Sequence, residues 1–239
     1  MHSPSRRQVL KAAILGPAAV AVSVEALKRA IPSAHAAFEP AYASPPRRFF
    51  TPGEHGFVEA AVARIIPADE LGPGAKEAGV ADFIDHQLAG PYGRAEGWYM
   101  QGPWKQGIAE QGYQLKMNPA QLYRSAIAAI DRHVHEYEHK AFAGLDGAAQ
   151  DRVLDAIDKA QLDIPGVPVR DFFEMLVQNT VEGFFADPIY GGNRDFIGWR
   201  LIGFPGPRYN YVAEIGEHGK RYDMPFVSLS GHDTGVTEG

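Results

Sequence analysis

Cysteine is absent from all 239 residues. This chain therefore forms no disulfide, no thiolate metal site, no cysteine-held iron–sulfur cluster and no covalent c-type haem. If it belongs to a redox system, the electrons pass through another chain. The phosphate-cradling G-x-x-x-x-G-K-[ST], the dinucleotide G-x-G-x-x-G and the nucleophile-bearing G-x-S-x-G are also missing. There is no internal repeat and no series of alternating strand-like segments, so the expected class is mainly α. The longest uncharged stretch near the start, Ala12 to Val24, falls short of the roughly 20 residues a membrane-spanning helix needs.

What the chain does contain is a 45% hydrophobic, 22% charged composition, that of an ordinary globular protein. Its 26 glycines and 18 prolines point to a packed core joined by several irregular connections. Net charge is −6. Residues 1–36 hold five basic residues and one acidic; without them 18 basic and 28 acidic residues remain, a net −10. So acidic a body does not suit nucleic acid or an anionic lipid surface, both of which select basic faces.

The basic residues at the start form an address. Arg6 and Arg7 stand in Ser5-Arg6-Arg7-Gln8-Val9-Leu10-Lys11, followed by the short uncharged stretch, by Lys28 and Arg29, and by Ala34-His35-Ala36. A charged region, a short apolar region and an A-x-A site, with paired arginines, predict a twin-arginine (Tat) leader read by the Tat translocase. Cleavage is expected after Ala36, delivering the folded chain to the periplasm.

The remainder divides into an extended lead-in (37–50), a helical domain (51–224) and a C-terminal tail (225–239) running over the surface. Five to six helices are expected. Thr51-Pro52-Gly53-Glu54 is a capping box opening the first, with Phe57, Ala61 and Ile65 on one face. A second carries Val80, Phe83, Ile84 and Leu88. Asn118-Pro119 starts a long third helix with Tyr123, Ile127, Ile130, Val134 and Tyr137 facing in, ended by Gly144. A fourth starts near Asp146; a fifth bears Phe172, Phe173, Leu176, Thr180 and Phe184; a short one lies around Phe196–Leu201. Asp82 and Asp85 read as helix-dipole and capping carboxylates.

Two groups of residues carry a resemblance. The first is Ile66-Pro67-Ala68-Asp69-Glu70-Leu71-Gly72-Pro73-Gly74, Gly79-Val80-Ala81-Asp82-Phe83-Ile84-Asp85, Gly90-Pro91-Tyr92-Gly93 and Gln101-Gly102-Pro103. The second is Glu182-Gly183-Phe184-Phe185-Ala186-Asp187-Pro188-Ile189-Tyr190-Gly191-Gly192-Asn193, Gly198-Trp199 and Leu201-Ile202-Gly203-Phe204-Pro205-Gly206. Together, across roughly residues 50–210, they resemble the gluconate 2-dehydrogenase subunit 3 family. The resemblance implies a membrane-associated complex with two other parts. One is an FAD-containing flavoprotein of the glucose–methanol–choline type, the other a cytochrome c with haem c. This chain would be the small subunit, without cofactor or catalytic residues, serving export and maturation of the flavoprotein. Membrane association would come only through those partners, and substrate choice would lie in the flavoprotein.

Two Gly-rich aromatic regions are the natural partner surface, because Tyr, Trp and Arg dominate interface hot spots. They supply Tyr92, Trp98, Tyr99, Trp104, Tyr190, Trp199 and Arg208 as candidates. Against them stands the reading that such residues are satellite core beneath loops.

A competing reading is hydrolytic. His135-Glu136-Tyr137-Glu138-His139 matches H-E-x-x-H, which on a helix sets two imidazoles on one face for zinc, with the glutamate as general base. Composition yields only about 0.02 chance matches in a chain like this, so chance does not dismiss it. The charged Glu138 and Lys140 within and beside the motif are unlike zinc proteases, and no spacing dictates a third ligand, although Glu174 and Glu182 are available. A third reading is a free-standing periplasmic binding protein.

Overall fold

The computed structural model describes residues 46–230 apart from 106, 109, 110, 221 and 223. Arg6, Arg7, Ala34 and Ala36, the residues of the expected Tat leader, lie outside the described residues. Among those described there are six α-helices and no strand: α1 (Pro52–Ile65), α2 (Val80–Ala89), α3 (Pro119–Glu138), α4 (Gly147–Asp158), α5 (Val169–Phe185) and α6 (Ile197–Ile202). No helix among them is long and apolar enough to cross a membrane.

The helix starts follow from local chemistry. Thr51 and Glu54 satisfy each other's backbone N–H groups, and Asn118 and Gln121 repeat the arrangement at α3, each with proline in the first turn. A cap of this kind contributes about 1 kcal/mol. Asp146 caps α4 by accepting the Ala149 N–H at 2.8 Å.

α5 is the axis of the molecule and packs against each of the other five helices. Its residues Phe172, Leu176, Thr180 and Phe184, spaced by four, are all buried. Around Phe172 the core is aromatic: Phe57 and Tyr123 contact it at ring-centroid distances of 6.3 and 5.1 Å, and Phe142 lies 4.5 Å beyond Phe57. Thr180 Oγ1 donates to the Leu176 carbonyl, so its hydroxyl is satisfied inside the helix.

Two expectations need correction. α3 ends at Glu138, not at Gly144: His139 turns left-handed (φ 54°). Phe142 then tucks beneath Phe57 while its N–H donates to Asp131 Oδ1 at 2.8 Å. Burying that ring in a separate 3-10 turn outweighs continuing the helix. Tyr137 accordingly faces solvent, 72% exposed. The start of the tail, residues 225–229, is anchored. Phe226 stacks on Phe196, the Val227 N–H donates to the Pro205 carbonyl, and the Leu229 N–H donates to Asp187 Oδ2.

Candidate functional site

The chain's unusual chemistry centres on the first turns of α2. Asp82 projects inward, where its carboxylate meets Arg194 through Oδ2 and His55 Nε2 through Oδ1 at 2.8 Å. Burial raises the Asp82 carboxyl, but the His55 hydrogen bond and the charges of Arg194 and His55 outweigh it and hold the group below its ordinary value. One turn on, the fully buried Asp85 accepts three backbone N–H groups, from Arg48 (2.6 Å), Phe49 (3.1 Å) and Phe50 (2.7 Å). Arg124 adds a second hold on the same segment, donating to the Phe49 carbonyl and lying over the Phe49 ring at 4.3 Å.

These two aspartates are therefore more than dipole or capping groups. Asp85 ties the lead-in to α2, and Asp82 ties α1 and the loop before α6 to the same helix. Their sequence signal was the i, i+3 spacing of two acids within an apolar helix, a pattern that places both on one face.

The run after α5 is built on close backbone approach. Asn193, buried with φ 48°, accepts the Gly198 N–H (2.8 Å) and donates to the Ala186 carbonyl (2.8 Å). A methyl group on Gly198 would collide with the Phe184 carbonyl of α5, so only glycine lets α6 sit there. Asp187 accepts the N–H groups of both Ile189 and Leu229, joining the loop to the tail.

The candidate interface residues separate into distinct environments. Trp199 is corrected to a core residue: it is 4% exposed, stacks against Phe196, and donates from Nε1 to the Phe185 carbonyl at 2.8 Å. Arg208 braces the tail, its guanidinium donating to the Pro225 carbonyl. Tyr92 is half-buried; it donates to Asn179, which donates on to the buried Tyr123, and burial pushes its hydroxyl up to about 12. Trp98 is 38% exposed and wedged edge-on between Tyr92 and Tyr113. Tyr99, Trp104 and Tyr190 are exposed.

The H-E-x-x-H residues lie at the solvated end of α3. His135 and His139 are exposed, with ring centroids 6.4 Å apart, and His139 has already left the helical conformation. Glu174 is exposed and pairs with Arg170 at 3.4 Å, and Glu182 accepts from Gln178 at 2.8 Å. Among the described residues no three metal-ligating side chains come together.

Exposed apolar side chains concentrate toward the C-terminus, in and beyond the second of the two aromatic regions that the sequence marks as partner surface. Of sixteen exposed large hydrophobic residues among those described, ten fall between Ile189 and Leu229. Fold and site thus define a class: a small all-helical domain whose buried charges clasp its own segments together and whose large exposed apolar side chains crowd one stretch of chain.

The chain belongs to the gluconate 2-dehydrogenase subunit 3 family, whose model matches residues 52–206, and so is a subunit of a complex of that kind. No curated protein and no solved structure matches it.

Proposed function

We propose that this chain is a non-catalytic subunit of a membrane-associated, FAD-dependent sugar or sugar-acid dehydrogenase. It carries the flavoprotein through the Tat route and stabilises it during maturation. The observation that carries this reading is membership of the subunit family over residues 52–206. The Arg6-Arg7 leader ahead of that domain adds the export role, since the Tat route takes folded cargo. The absence of cysteine fits a division of labour in which FAD sits in a glucose–methanol–choline-type partner and haem c in a cytochrome partner. The complex works in the periplasm and meets the inner membrane through those partners. Tyr99, Trp104 and Tyr190 offer exposed aromatic contact for the flavoprotein.

The test is co-expression with the flavoprotein subunit of the same source, tagging only this chain and purifying from periplasmic and membrane fractions. A flavin spectrum and dye-linked sugar oxidation are expected in the eluate, and Arg6→Lys with Arg7→Lys should strand both chains in the cytoplasm. A colourless lone chain, with the flavoprotein exported and active without it, overturns the reading.

A further inference from the structure

Across the end of the family's match at residue 206, the chain builds a groove of about 430 Å³. Phe204, Pro205, Tyr211 and Tyr222 form its apolar lining, and Glu214, Glu217 and Lys220 supply its charges. Tyr211 and Tyr222 meet edge-to-face at 5.6 Å. The groove rests on firm ground: Phe204 packs on the buried Trp199 at 5.0 Å, and the Pro205 carbonyl accepts the Val227 N–H. Lys220 is already paired with Glu217 at 2.7 Å. The Glu214 carboxylate has no cationic or hydrogen-bonding partner among the described residues.

We propose that this groove receives an arginine or lysine side chain of the flavoprotein subunit. The inference rests on the proposed subunit role and names one contact that would serve it. Charge complementarity points to a cation: a carboxylate with no counter-charge among the described residues, set among aromatic rings whose faces carry negative potential, favours a positive head group. Its flanks point to a polypeptide as the bearer. Val212 and Ile215, on either side of Glu214, are 69% and 70% exposed and widen the contact beyond a small-molecule footprint.

The test measures Kd between the mature chain and the purified flavoprotein at low and raised salt. Glu214→Gln should weaken binding about tenfold at low salt and less at high salt. Lys220→Gln removes the competing resident cation and should tighten binding a few-fold. The opposite signs guard against a folding artefact, and an unchanged Tm in both variants confirms it. If the wild type binds but neither variant alters Kd, or both alter it in the same direction, the groove proposal is wrong while the subunit reading stands. If the wild type fails to bind the flavoprotein, both fall.

Discussion

Asp82 and Arg194, 112 residues apart in the chain, form an ion pair with side-chain exposures of 7% and 13%. It joins α2 to the loop that precedes α6, and His55 of α1 shares the same carboxylate. Three segments distant in sequence thus converge on one acid.

Removing that acid leaves the part-buried Arg194 without its counter-charge and the part-buried His55 without its hydrogen-bond partner. Asp82→Ala is expected to cost about 3 kcal/mol or more in urea unfolding. The double variant with Arg194→Met should cost less than the two single variants summed, because the orphaned guanidinium is gone. Additive effects would show that the pair contributes no coupling.

The same pair sets an acid limit. Asp82 is held below its unfolded value, so its contribution is complete above the ordinary carboxylate range and is lost as pH falls through its lower folded value. Asp131 and Asp171 carry the opposite sign: burial raises both, so the stability they contribute is complete below their unfolded values and lost as pH rises through the folded ones. Asp82→Asn should flatten the acid branch of a stability–pH curve. An unchanged slope would assign that branch to other carboxylates.

Asp85 makes a local prediction. Asp85→Ala strips three buried or part-buried N–H groups of their acceptor, and hydrogen exchange at Arg48, Phe49 and Phe50 should accelerate well beyond any global change. Exchange that follows global stability alone would mean the lead-in is held by Phe50 packing and Arg124 instead.

Gly198 tests the close approach of α6 to α5. Gly198→Ala should cost about 1–3 kcal/mol through forced displacement and shift Trp199 emission to the red. Gly53, whose added methyl would meet open space, is the control and should tolerate alanine within about 0.5 kcal/mol.

Tyr99 and Trp98 separate surface from support. Tyr99, 81% exposed, should lose flavoprotein affinity as alanine with its Tm unchanged. Trp98→Ala should lower Tm as well, since its ring bridges Tyr92 and Tyr113. Equal Tm in both would place Trp98 wholly on the surface.

Most helix boundaries were legible because their causes are local. Thr51 with Glu54, Asn118 with Gln121, and Asp146 satisfy N–H groups within three residues of themselves, and the inward faces of α2 and α5 repeat at helical spacing. The family runs were legible too, since their glycines answer to close approaches such as Gly198 on Phe184.

What could not be read was settled by partners distant in the chain. Trp199 carries the composition of a hot spot, yet it is enclosed by Phe196 and Phe204 and bonded to Phe185. Asp82 and Asp85 read locally as helix-dipole and capping acids, but their roles come from Arg194, His55 and residues 48–50. The halt of α3 at His139 depends on a ring waiting at Phe57. Capping and periodicity act within a turn or two and are written in neighbouring residues. Burial and ion pairing act across whatever the folded chain brings together, and so emerge only once α5 has gathered the other helices around it.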